Sequence, residues 1–98
     1  MNLEIMVVKM QNVYKKENIN YNYLNNYVKF SLKGNYLYLY NTIYDKEVTL
    51  EGKNEDLKEF INLIIHGIDN HNILIILTKI SNKPKELYEY LLQNFIIE

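Results

Sequence analysis

An alternating stretch at residues 46–52 (KEVTLEG) runs directly into a stretch with helical spacing, and this junction limits the folds open to the chain. Val48 and Leu50 alternate with polar residues, which predicts a short strand with one apolar and one polar face. Asn54 then stands at a helix N-cap position, and apolar residues recur every three or four positions as far as Gly67. The sheet is therefore expected to precede the helical part of the chain.

Two further strands are predicted immediately upstream. Residues 27–32 (YVKFSL) and residues 36–43 (YLYLYNTI) both alternate, and the glycine-containing connection KGN between them is typical of a β-hairpin. A second turn at residues 44–46 reverses the chain into a third strand at residues 47–52. We expect a three-stranded antiparallel meander with the third strand at an open edge, where an extended peptide can dock.

Three helical segments are predicted after the sheet. The first follows Asn54, and the last begins after Pro84, which fits a first helical turn, and covers residues 85–94. Residues 95–97 should then pack back onto the core. The middle segment, residues 72–80, favours a helix by its spacing, but its five consecutive apolar residues also fit a buried strand.

The N-terminal quarter of the chain has a weaker pattern. Residues 3–10 alternate well enough to predict an extra strand, and residues 11–26 are expected to form a loop or irregular arm. We therefore divide the chain into this N-terminal strand and arm (1–26) and a recognition domain (27–98), within one compact domain overall. The predicted fold class is α+β, with a winged-helix-like order in which a three-stranded antiparallel sheet is followed by three helices.

Composition excludes several classes of function. The 98 residues carry 11 basic and 12 acidic side chains, so the formal charge of -1 gives no electrostatic footprint for a nucleic acid. There is no cysteine, which excludes disulfides, thiolate metal sites and thiol nucleophiles. The start, MNLEIMVVKM, fits neither a signal peptide nor a spanning helix, so we expect a soluble cytoplasmic protein without a membrane partner.

Candidates for catalysis are few. His66 and His71 are separated by a helix stop and show no HExxH arrangement, which argues against a metal site. His66 is better explained as a helix-terminal residue that faces the negative end of the helix dipole. The sequence has no glycine-rich phosphate loop and no GxSxG motif. We therefore expect a protein that is not an enzyme and that needs no cofactor or metal.

Several short motifs resemble those of a known family. They are VTLEG before the first helix, the pair His66 and Gly67 that closes it, the pair Ile73 and Leu77 in the second helix, and the terminal YLLQNFIIE. Together with the hairpin, they are similar to the precursor-peptide recognition elements of ribosomal natural-product biosynthesis, which have the PqqD-like fold. The resemblance covers roughly the last three-quarters of the chain.

The resemblance implies a peptide-binding groove. In the family, the leader segment of a precursor peptide adds as a strand beside the third strand and inserts side chains toward the third helix. By position, the groove would be lined by Val48, Thr49, Leu50, Lys85, Tyr88, Leu91 and Leu92. Lys46, Lys83 and Lys85 would pair with acidic leader residues at the rim, each pair contributing only about 0 to 1 kcal/mol. Ordinary core packing is the competing explanation for Val48, Leu50 and Leu91.

Three functions follow as hypotheses. The first is a non-catalytic adaptor that binds a leader peptide and presents it to a separate modifying enzyme. The second is a winged-helix nucleic-acid binder, which the balanced charge of the last helix disfavours. The third is a small dimeric inhibitor or assembly protein that forms a homodimer through its N-terminal strand or through the face formed by Tyr36, Tyr38 and Tyr40.

Overall fold

A computed structural model describes residues 21–98; the strand predicted at residues 3–10 lies outside them. The predicted α+β fold, with a three-stranded antiparallel sheet followed by three helices, is confirmed. The elements in chain order are β1 (Tyr21–Asn22), β2 (Val28–Lys33), β3 (Tyr36–Asn41), β4 (Lys46–Glu51), α1 (Asn54–His66), β5 (Ile68–Asp69), α2 (Asn70–Thr78) and α3 (Pro84–Gln93).

The main sheet has the strand order β2-β3-β4, with both pairs antiparallel. Gly34 supplies the positive φ of 59° in the first hairpin turn, and Asp45 adopts a φ of 54° in the second. On the central strand, Leu37 and Leu39 point inward and are fully buried. Alternation therefore gives the sheet one face against the core and one polar face, as the sequence predicts.

Helix α1 crosses the inner face of the sheet and packs against β2 and β3. It buries the apolar stripe Leu57, Phe60, Ile61 and Ile64. The expectation that Asn54 caps this helix is wrong, because the N-cap residue is Lys53 and the Asn54 amide donates to the carbonyl of Gly34 in the first hairpin. Asn54 thus joins the start of α1 to the sheet.

Residues 70–78 form helix α2 and not a buried strand. Asp69 is its N-cap, and the Asp69 Oδ1 accepts a hydrogen bond from the Asn72 backbone N–H at 2.7 Å. Ile73, Ile76 and Leu77 are buried at the helical spacing. The cap and this spacing together account for the helix.

Residues 21–25 belong to the folded body, which differs from the irregular arm expected there. β1 pairs antiparallel with β5, and the Leu24 N–H donates to the Ile64 carbonyl at 2.8 Å. Tyr23 and Glu98 exchange two backbone hydrogen bonds of 2.8 Å, so this segment also pairs with the C-terminal residues. The N-terminal part of the described chain therefore joins α1, β5 and the C-terminus.

Helix α3 starts with Pro84 in its first turn, as the sequence predicts, and packs mainly against α2. Within the helix, the Leu91 side chain is fully buried, and after the helix Ile96 and Ile97 fold back into the core. Phe95 does not: it has a positive φ of 57°, and its ring stays exposed. Within residues 21–98, no helix is long and apolar enough to cross a membrane.

Candidate functional site

Strand β4 is an edge strand: among the described residues, it pairs with β3 alone. The Gly52 N–H donates to the Asn35 carbonyl at 3.0 Å, which fixes the hydrogen-bonding register of this hairpin. Hydrogen-bonded and non-hydrogen-bonded pairs alternate along an antiparallel ladder. The backbone N–H and C=O groups of Val48 and Leu50 therefore bond to β3, whereas those of Glu47, Thr49 and Glu51 point away from it. Within residues 21–98 these outward groups have no strand partner, and we call the three residues the open edge of β4.

The predicted site residues on β4 divide into two kinds. Val48 and Leu50 are 3% and 6% exposed, and both belong to the hydrophobic core. Lys46 and Thr49 have exposed side chains. The structure therefore uses Val48 and Leu50 for packing, and a docked peptide would meet the open-edge backbone and the side chains of Lys46 and Thr49.

The predicted site residues on α3 are distributed in the same way. Leu91 is fully buried, and Tyr88 and Leu92 are partly buried against the core. The Tyr88 hydroxyl donates to the Asn22 Oδ1 at 2.7 Å, so Tyr88 holds β1 in place. Lys85 is exposed in the first turn of the helix. Of the four residues, Lys85 alone is exposed.

The predicted walls of the groove approach each other at one end. At the C-terminal end of α3, the Asn41 Nδ2 donates to the Phe95 carbonyl at 2.8 Å, which places this end beside the β3–β4 turn. Lys46 follows that turn, whereas Lys85 lies near the opposite end of α3. At about 1.5 Å per residue, Lys85 is about 12 Å along the helix axis from Gln93, the last residue of the helix. The structure thus brings Lys46, but not Lys85, close to the meeting point of strand and helix.

An exposed aromatic pair lies at this meeting point. Tyr44 and Phe95 stack with their ring centroids 4.2 Å apart, and the two residues are 53% and 40% exposed. The Asn41 Oδ1 accepts from the backbone N–H groups of Ile43 and Tyr44 at 2.9 and 3.0 Å and so fixes the turn that carries Tyr44. Sequence reasoning missed this pair, because a turn and a helix end that are far apart in sequence do not show their proximity.

In the part of the chain that the structure describes, strand β2 is the second edge of the same sheet. The Thr42 N–H donates to the Tyr27 carbonyl at 2.9 Å, and alternation from this pair directs the backbone groups of Phe30 and Leu32 outward. An open cavity of about 650 Å³ beside this edge is lined by Phe30, Ile61 and Ile65, among others. β2 therefore competes with β4 as a docking edge, which the sequence analysis did not consider.

A second surface cleft, of about 410 Å³, lies between α1, α2 and β5. Its rim carries the ion pair between the Lys79 Nζ and the Glu59 Oε1 at 3.1 Å, and both side chains are about half exposed. Such a surface pair contributes about 0 to 1 kcal/mol. Every buried side-chain nitrogen and oxygen in the described chain has a hydrogen-bond partner, so no buried polar side chain is left unpaired at this cleft.

Two titratable side chains, His66 and Tyr40, make hydrogen bonds within the fold. The His66 Nδ1 lies 2.9 Å from the Asn62 carbonyl in the last turn of α1, the helix-terminal position that the sequence predicts. The hydrogen bond from the Tyr40 hydroxyl to the Asp45 Oδ1, at 2.9 Å, and the carboxylate charge raise the pKa of Tyr40. In the part of the chain that the structure covers, no three His, Asp or Glu side chains are placed to hold a metal ion.

The arrangement offers two chemical capabilities. The open edge of β4 presents backbone donors and acceptors, and the Tyr44 and Phe95 rings provide apolar surface beside the start of that edge. Both features suit an extended peptide. No family model matches this chain, and no curated protein and no solved structure is significantly similar to it.

Proposed function

We propose that this protein is a cytoplasmic, non-catalytic adaptor that binds the leader segment of a ribosomally made precursor peptide by β-strand addition to β4. The adaptor would present the bound peptide to a separate modifying enzyme. The observation that carries the proposal is the open edge of β4, where the backbone groups of Glu47, Thr49 and Glu51 point away from the sheet. An added strand satisfies such groups directly.

The exposed aromatic pair at the β3–β4 turn supports β4 as the docking edge. The C-terminal end of α3 lies at the β3–β4 turn, where Tyr44 and Phe95 present stacked rings to solvent. An apolar leader side chain placed on these rings would be the main anchor, since a few aromatic contacts usually dominate binding. Backbone hydrogen bonds along β4 would then fix the register of the peptide.

Charge along the edge suggests which leader sequences fit. A strand added to β4 places alternate side chains beside Glu47 and Glu51, on the outer face of the sheet. Cationic residues four positions apart would suit this side, and an acidic residue would suit the exposed Lys46. These rim contacts mainly set selectivity, because each contributes only about 0 to 1 kcal/mol.

The nucleic-acid alternative has less support. A winged-helix recognition helix needs a basic surface to contact phosphates. At the N-cap of α3, the Lys83 Nζ instead lies 3.9 Å from the Glu86 Oε2, and the helix also carries Glu89. With Lys83 and Lys85 balanced by Glu86 and Glu89, we favour a peptide partner over a nucleic acid.

The test is a titration of the full chain with a synthetic peptide. This peptide corresponds to the N-terminal half of the short peptide whose gene lies nearest to the gene of this protein. Thr49→Pro removes one outward N–H but leaves the hydrogen bonds to β3 intact, a change that edge strands tolerate. The variant should bind at least about tenfold more weakly, because a backbone hydrogen bond is lost and the proline ring obstructs the edge. Thr49→Val, which keeps the N–H and the side-chain size, should bind like the unchanged chain.

The same pair of substitutions at the second edge identifies the docking strand. Phe30→Pro and Phe30→Val should both leave the peptide affinity unchanged, provided that circular dichroism shows the native fold. If Phe30→Pro weakens binding and Thr49→Pro does not, the peptide adds to β2 and the assignment to β4 is wrong. If the peptide perturbs no amide signal of the chain at millimolar concentration, the adaptor proposal itself fails.

A further inference from the structure

The outer face of the main sheet carries its charges in two columns on either side of a tyrosine column. β3 contributes Tyr36, Tyr38 and Tyr40. The strand register places lysines on one side of this column and glutamates on the other, and their side chains are all exposed. From β2 to β4, the three rows are Lys29, Tyr40 and Glu47; Ser31, Tyr38 and Thr49; and Lys33, Tyr36 and Glu51.

The tyrosine column is accessible. Tyr36, Tyr38 and Tyr40 are 42%, 39% and 39% exposed, and the rings of Tyr36 and Tyr38 stack with centroids 6.3 Å apart. Tyrosine is enriched in protein interfaces because its ring buries apolar area while its hydroxyl stays paired. A face with a tyrosine centre and opposite charges on its two sides is complementary to a copy of itself.

We propose that two copies of this chain pair face to face through this surface, about a twofold axis that runs parallel to β3. A twofold axis along the strands places β2 of one copy over β4 of the other, so that Lys29 faces the partner's Glu47 and Lys33 faces the partner's Glu51. An axis across the strands would instead place β2 over β2 and lysine over lysine. Charge therefore selects the first arrangement.

The contact is small, so the dimer should be weak. Six-residue strands are about 20 Å long and three strands are about 14 Å wide, which gives a footprint of about 300 Å² on each copy. Stable interfaces bury roughly 1,200 to 2,000 Å² in total, and smaller ones belong to transient complexes. We expect a reversible dimer with a dissociation constant in the micromolar to millimolar range.

This inference does not depend on the peptide proposal, because it uses the face of the sheet and leaves the backbone edge of β4 open. Either one can fail without the other. The dimer is tested by the mass of the protein in solution, whereas the adaptor function is tested by the effect of a peptide on β4 amides. The two experiments share no readout.

The test is sedimentation equilibrium of the full chain from micromolar to millimolar concentration, with charge-reversed variants. Lys29→Glu with Lys33→Glu, or Glu47→Lys with Glu51→Lys, places like charges opposite each other and should weaken the dimer at least about tenfold. An equimolar mixture of these two variants restores every opposite-charge contact and should dimerise like the unchanged chain. A chain with all four substitutions should do the same.

A matched control separates the face from net charge. Lys58→Glu with Lys85→Glu changes the total charge as much as the β2 variant does, but it alters exposed lysines on α1 and α3. It should leave the dimerisation constant unchanged within about twofold. The proposal is overturned if the unchanged chain stays monomeric at millimolar concentration. It is also overturned if the mixture of charge-reversed variants associates no better than either variant alone.

Discussion

At the scale of single residues, the buried amide of Asn22 connects three parts of the fold. Its Nδ2 donates to the Ile68 carbonyl at 3.2 Å and to the Asn70 Oδ1 at 2.8 Å, and its Oδ1 accepts from the Tyr88 hydroxyl at 2.7 Å. The residue is only 3% exposed. Buried amides must be paired to avoid a desolvation penalty, so this one side chain holds β1 in a fixed relation to β5, α2 and α3.

Asn22→Ala should therefore destabilise the fold by about 2 to 3 kcal/mol, because it leaves partners of the lost amide without hydrogen bonds in a part-buried site. Urea unfolding of the full chain measures this loss. Asn26→Ala is the matched control: Asn26 is exposed, and the change should stay within about 0.5 kcal/mol. Equal losses for the two variants would show that the Asn22 contacts do not stabilise the fold.

At the scale of elements, the end of α1 depends on a backbone conformation that suits glycine. Gly67 has a φ of 101°, and a Cβ at this position would lie 2.5 Å from the Tyr23 Cε1. Such a distance is much shorter than the optimal separation of two non-bonded carbon atoms, about 3.5 to 4.0 Å. Because Gly67 has no side chain, the Tyr23 ring can lie directly over the junction between α1 and β5.

We expect Gly67→Ala to destabilise the protein by about 3 kcal/mol or more, through both the strained φ and the displaced tyrosine ring. Gly34→Ala is the control, since Gly34 also has a positive φ but no atom within 4 Å of the added Cβ. Its cost should be about 1 kcal/mol, from backbone strain alone. Thermal unfolding measures both values, and similar losses in the two variants would contradict the role assigned to Tyr23.

The elements differ in how well the sequence predicts them. β3, β4 and α1 have six to thirteen residues with one clear period, so alternation and helical spacing identify them. β1 and β5 have two residues each, too few for any period, and their pairing depends on a long-range contact. The N-cap of α1 is also set by tertiary structure, because the Asn54 side chain bonds to the Gly34 carbonyl.

At the scale of the whole molecule, the sequence predicts the open edge of β4 better than the groove beside it. The edge follows from strand order, which short hairpin connections largely determine. Whether Val48, Leu50 and Leu91 line a groove or fill the core depends on how closely the helices pack, and here all three are buried. The contact between Tyr44 and Phe95 likewise requires the folded chain.

Amide hydrogen exchange tests the central claim most directly. It is resolved by NMR in the free chain and in the chain bound to the synthetic peptide used in the titration. The amides of Val48 and Leu50 should be protected in both states, because they bond to β3. The amides of Glu47, Thr49 and Glu51 should exchange rapidly in the free chain and become protected when the peptide saturates it. If these three amides are already protected in the free chain, or still exchange rapidly at saturation, the peptide does not add to β4.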